Sequence, residues 1–85
     1  MMKEILDKTI AQVRAALQEP DAFHMLPEIL EILIQMSATV DASKTRRQEI
    51  GAGLAAFITD DYEFSESKLG RTLLKLIGPY VDGAS

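Results

Sequence analysis

Pro27-Glu28-Ile29-Leu30-Glu31-Ile32-Leu33-Ile34-Gln35-Met36 decides the fold. Its polar residues Glu28, Glu31 and Gln35 are three and four apart, so they make one thin stripe on a helix. Ile29, Leu30, Ile32, Leu33, Ile34, Met36 and, further on, Val40 cover the rest of the surface. A helix that is apolar nearly all round is a buried helix. In a short chain it must be the central element of a bundle or face another subunit. Pro27 suits the first turn, where its missing N–H would be unpaired anyway. Glu28 favours the positive end of the helix dipole. The pattern predicts a helix from Pro27 to about Val40.

On the N-terminal side, Leu6, Ile10, Val13 and Leu17 step by four, three and four, one face of an amphipathic helix. Ile5 and Met2 widen that face. Pro20 stops this first helix at about Glu19, because the residue before a proline avoids the α region. Residues 21–26 are then a short connector with room for one extra helical turn, with Phe23, Met25 and Leu26 tucked beneath it.

On the C-terminal side, Asp41 or Ser43 can cap a third helix. Ile50, Leu54, Phe57 and Ile58 give its core stripe. Gly51, Ala52, Ala55 and Ala56 give a small-residue face that a neighbouring helix can approach closely. Gly51 and Gly53 each cost about 1 kcal/mol of helix propensity, which close packing would offset. A fourth helix is expected to start with Ser65 as its cap and a hydrophobic staple between Phe64 and Leu69. Leu69, Leu73, Leu76, Ile77 and Tyr80 mark its inner face. Gly78-Pro79 should stop or kink it. No stretch alternates with the period of a strand, so no sheet is expected. The expected fold is all-α: a compact four-helix domain with short connections over residues 1–81, and a flexible tail at 82–85. Leu30, Leu33, Ile34, Leu54, Phe57, Leu73 and Ile77 are the expected core.

Eighty-five residues with 47% hydrophobic content make one small domain. A chain of this size buries only about 60–65% of its unfolded surface, so the apolar excess points to a homo-oligomer, a homodimer in the simplest case. There is no cysteine for disulfides or thiolate ligands, which fits a cytoplasmic protein. The N-terminal charges Lys3, Glu4, Asp7 and Lys8 interrupt any signal-peptide core, and no apolar run is long enough to span a bilayer. The net charge of −4 disfavours general binding to nucleic acid or anionic membranes.

Three patterns invite a chemical reading and fail it. Gly51-Ala52-Gly53-Leu54-Ala55-Ala56 matches the dinucleotide pattern G-x-G-x-x-G/A, but it follows a charged helical start rather than a strand. His24, the sole histidine, has no neighbours at a recognised catalytic or metal-binding spacing. Asp61, Glu63 and Ser65 alternate like the start of a calcium loop, yet Glu66 stands where the loop needs glycine and Thr72 where it needs glutamate. The expectation is therefore a nonenzymatic protein with no catalytic residue, cofactor or metal.

What remains is Asp60-Asp61-Tyr62-Glu63-Phe64-Ser65-Glu66, four acids and two of the five aromatics between two helices. One reading is structural: Phe64 staples the fourth helix, Tyr62 covers the core edge and the acids are solvated. The other makes Asp60, Asp61, Tyr62, Glu63 and Glu66 a partner-binding surface, with Tyr62 as anchor and the acids selecting a basic partner. The leading functional expectation is a noncatalytic interaction domain (an adaptor, regulator or inhibitor) that binds another protein and self-associates. The alternative is a DNA-binding regulator in which the third and fourth helices form a helix-turn-helix and Lys44, Arg46, Arg47, Lys68, Arg71 and Lys75 contact phosphates. Two facts oppose it. The connection exceeds the usual 3–4 residue turn, and four acids would meet the phosphates first.

Overall fold

The computed structural model describes residues 2–83, and four of its helices lie roughly where the apolar stripes put them, with one addition. They are α1 (Met2–Leu17), α2 (Leu26–Ala38), α3 (Lys44–Thr59), α4 (Tyr62–Ser65) and α5 (Lys68–Asp82). No strand occurs among the described residues. Among the described residues the domain is all-α, with five helices rather than four. The extra helix is α4, inside the acidic-aromatic segment. The connector between α1 and α2 forms turns instead, closed by Ala22 N–H to Glu19 O and Leu26 N–H to Phe23 O.

Each boundary has a local cause. Pro20 cannot donate to the Ala16 carbonyl, so Glu19 N–H takes it at 3.1 Å in a tightened last turn. That is why α1 ends at Leu17, two residues before the expected stop. Ser43, not Asp41, caps α3, its hydroxyl accepting from Arg46 N–H at 3.2 Å. The Asp61 carboxylate caps α4 by accepting from Phe64 N–H at 3.0 Å. The cap of α5 is Ser67, which accepts from Gly70 N–H at 3.0 Å, and not Ser65, which lies within α4 and donates to Tyr62 O. The proposed Phe64–Leu69 staple therefore falls away, because Phe64 belongs to the preceding helix.

The Gly78-Pro79 pair does not end α5. Pro79 deprives the Lys75 carbonyl of its helical donor, but tertiary contacts carry the helix onward. Tyr80 is buried, and its hydroxyl meets Thr39 Oγ1 at 2.7 Å. Thr39 gives its only proton to Gln35 O, so Tyr80 is the donor to Thr39. One turn later, Gly83 takes a left-handed φ of 71° and closes the helix. Of the expected tail, Asp82 is the last residue of α5, and Ala84 and Ser85 lie outside the described residues.

α1 packs mainly on α2, and α3 mainly on α5; α1 and α5 touch only lightly. The core lies between the two pairs and is filled by Leu6, Val13, Ile29, Leu33, Met36, Leu54, Ile58, Phe64, Leu73 and Tyr80. The Cα radius of gyration of 12.1 Å is close to the roughly 12 Å typical of a compact chain this long. Of the seven residues expected inside, Leu33, Leu54 and Leu73 are fully buried; Leu30, Phe57 and Ile77 are half-buried. Ile34 is not a core residue, being 44% exposed. Ile34 lies at the margin of the α1–α2 contact, where it borders an open hollow with Lys3, Asp7, Ile10 and Arg14 of α1.

Close approach between helices depends on two glycines. A Cβ on Gly51 would lie 2.8 Å from a Val81 methyl and 3.1 Å from an Ile77 methyl, so α3 and α5 meet there. A Cβ on Gly70 would lie 2.0 Å from the Phe64 carbonyl oxygen, so the first turn of α5 rests directly on the backbone of α4. The small-residue face of α3 is thus used only in part: Gly51 is buried and Ala55 half-buried, while Ala52 and Ala56 are exposed. Nothing lies within 4 Å of a Cβ on Gly53.

Candidate functional site

The acidic-aromatic segment folds into a single helical turn, and that turn sorts its two rings. Residues two apart on an α-helix point roughly 200° from each other. Phe64 is fully buried and meets Phe23 edge-on, with ring centroids 4.9 Å apart. Tyr62 is therefore driven outward and stands 79% exposed. It does not cover the core edge, as the structural reading required. The turn is held at both ends. Asp61 caps its start, and its end is fixed because Ser67 donates from both its N–H and its hydroxyl to the Phe64 carbonyl.

The acids take different roles around this ring. Asp60 and Glu63 are exposed without an ion-pair partner among the described residues. Asp61 is half-buried and occupied as a cap. Glu66 Oε1 accepts from Arg71 Nη2 at 3.2 Å, in a pair whose members are both more than half exposed. Such a pair contributes little to stability and remains open to exchange with a partner's charges.

Beside the turn is a hollow of about 220 Å³ lined by His24, Met25, Glu28, Phe57, Asp60 and Asp61. The fold thus brings His24 and Glu28 from the α1–α2 side next to the acidic segment. Sequence spacing carried no signal of this, because more than thirty residues separate them. Among the described residues, no three His, Asp or Glu side chains are placed to hold a metal ion. No helix there is long and apolar enough to cross a membrane.

The six cations named for nucleic acid are not one surface. Arg47 is half-buried: its Nε donates to Val81 O at 3.3 Å, and its Nη1 donates to Ala42 O. It ties the end of α5 to the start of α3, and its charge suits the negative, C-terminal end of α5. Arg46 pairs with Glu49 at 3.7 Å, and Arg71 with Glu66. Lys44 opens α3, whereas Lys68 and Lys75 line the seam between α1 and α5. The helix α4 stands between α3 and α5, in place of the tight turn of a helix-turn-helix.

No known protein family matches this chain, nor does any curated protein or solved structure show significant similarity to it.

Proposed function

We propose that the protein is a small noncatalytic interaction domain that presents Tyr62, with Asp60, Glu63 and Glu66 around it, to a basic surface on another protein. One observation carries the reading: a tyrosine 79% exposed on a helical turn locked at both ends. Folding leaves this ring in water while it buries Phe64 two residues away. A rigid, exposed tyrosine loses little conformational freedom on binding and offers both ring area and a hydroxyl. The carboxylates of Asp60 and Glu63 beside it, unpaired among the described residues, steer a basic partner. The nearby hollow, with Phe57 at its wall and carboxylates on its rim, extends the same surface.

The test is affinity isolation from native lysate with the wild-type chain and with Tyr62→Ser. The expected result is a defined partner held by the wild type and lost by the variant, with unchanged helical content and melting temperature. Equal retention of that partner by a folded Tyr62→Ser protein would remove Tyr62 as the anchor.

A further inference from the structure

We infer that the groove between α1 and α5 is a second docking site, and that it takes an acidic amphipathic helix from a partner protein. Two hollows of about 320 and 230 Å³ both border Thr72 and follow one another along these helices. Gln12 and Ala16 face Lys68 and Leu69 at one end; Met2 and Ile5 face Leu76 and Pro79 at the other. The two helices therefore run antiparallel, with α1 contributing one continuous face.

The groove is apolar for a specific reason. Its two hydroxyls are turned back onto their own helices: Thr9 Oγ1 donates to Ile5 O at 2.8 Å and Thr72 Oγ1 to Lys68 O at 3.0 Å. What they offer the groove is methyl groups. Ile5, 50% exposed, is a large aliphatic side chain left uncovered along it. Such a lining suits another apolar stripe better than a small polar ligand.

Charge selects the occupant. The chain is net −4, yet the groove lining contains Lys68 and Lys75 and no carboxylate. Neither lysine has an ion-pair partner among the described residues. A stripe of aliphatic side chains flanked by glutamates or aspartates would complement both features. The walls are helices rather than strands, so the groove offers no sheet edge for an added strand, and helix-in-groove docking is the mode left. From Met2 to Ala16 the wall runs about 21 Å at the usual rise per residue, the length of a helix of about 14 residues. This site shares no residue with the Tyr62 surface and does not depend on it.

The probe is a synthetic helical peptide of about 14 residues, with leucines at i, i+3, i+7 and i+10 flanked by glutamates. Its control carries lysines in place of the glutamates. Titration of isotope-labelled protein by NMR should show saturable one-to-one binding of the acidic peptide, with amide shifts on α1 and α5 around Ile5, Thr9 and Thr72. The lysine peptide should bind at least about tenfold more weakly. Lys68→Glu/Lys75→Glu, which changes exposed residues only, should reverse that preference. Ile5→Asp should lose the acidic peptide while keeping the fold. Absence of saturable binding, equal affinity for both peptides or shifts confined to other helices would overturn the inference. So would light scattering that shows a dimer which dissociates in Ile5→Asp, since the groove's occupant would then be a second copy.

Discussion

Alanine at three glycines should have three different outcomes, graded by what the new methyl meets. At Gly53 it meets nothing within 4 Å, so the change should act only through backbone entropy and stabilise by about 0.4–1 kcal/mol. At Gly51 the methyl would press on the γ-methyls of Val81 and Ile77, at 2.8 and 3.1 Å. Those are side-chain atoms that can give by a few tenths of an ångström, and the net cost should be about 1 kcal/mol. At Gly70 the obstacle is backbone: the Phe64 oxygen at 2.0 Å, its carbon at 2.9 Å and Ser65 Cα at 3.1 Å. The corner between α4 and α5 would have to open by about 1 Å. Opening it strains both bonds that Ser67 makes to the Phe64 carbonyl and lifts the Phe64 ring from the core. Overpacking of this kind costs about 1–3 kcal/mol, and each lost hydrogen bond about 1 kcal/mol more. A loss of about 3 kcal/mol lowers the melting temperature of a domain this size by about 12–24 °C. Far-UV circular dichroism during heating and urea titration would measure all three variants. A Gly70→Ala protein as stable as the wild type would refute the close α4–α5 contact, and a destabilised Gly53→Ala would refute the open surface at that position.

Two further perturbations probe the ties at the end of α5. Arg47→Ala should cost about 1.5–3 kcal/mol, since it removes charge-assisted bonds to Val81 O and Ala42 O. Amide exchange should accelerate first in the last turn of α5, and unchanged protection there would contradict the clamp. Tyr80→Phe should cost about 0.5–1.5 kcal/mol by removing the donor to Thr39. It should move the urea midpoint without changing the slope, and an unmoved midpoint would show that water serves Thr39 equally well.

The periodic parts of this fold were legible in the sequence. Leu6, Ile10 and Val13 are buried in α1 as their spacing demands, and Ser43 caps α3. What escaped was set by groups that sequence patterns do not distinguish. Ser65 and Ser67 both precede an apolar helix. The choice between them follows from the seating of Gly70 on the Phe64 carbonyl, a contact between backbone atoms. The inward role of Arg47 was hidden because its acceptors are carbonyls, which every residue has. Ile34 was misplaced because apolar content states what a helix can bury but not which sector a neighbour will cover. The acidic-aromatic segment was recognised, but the direction of Tyr62 depended on which ring the core took. The α1–α5 groove gave no signal, since Thr9 and Thr72 look polar until their hydroxyls are seen to face their own helices.

The pairing of α1 with α2 and of α3 with α5 joins elements close in the chain. Contacts of low sequence separation form quickly, so folding should fall in the microsecond-to-millisecond range. Each pair can then arise as a local unit, and the slow event is their meeting. Two contacts across long sequence separations mark that meeting: the Phe23 ring against Phe64, and Tyr80 against Thr39. They lie on different parts of the joint, so neither half can swing away about the other as a hinge. These two ties turn a pair of fast-forming halves into one cooperative unit.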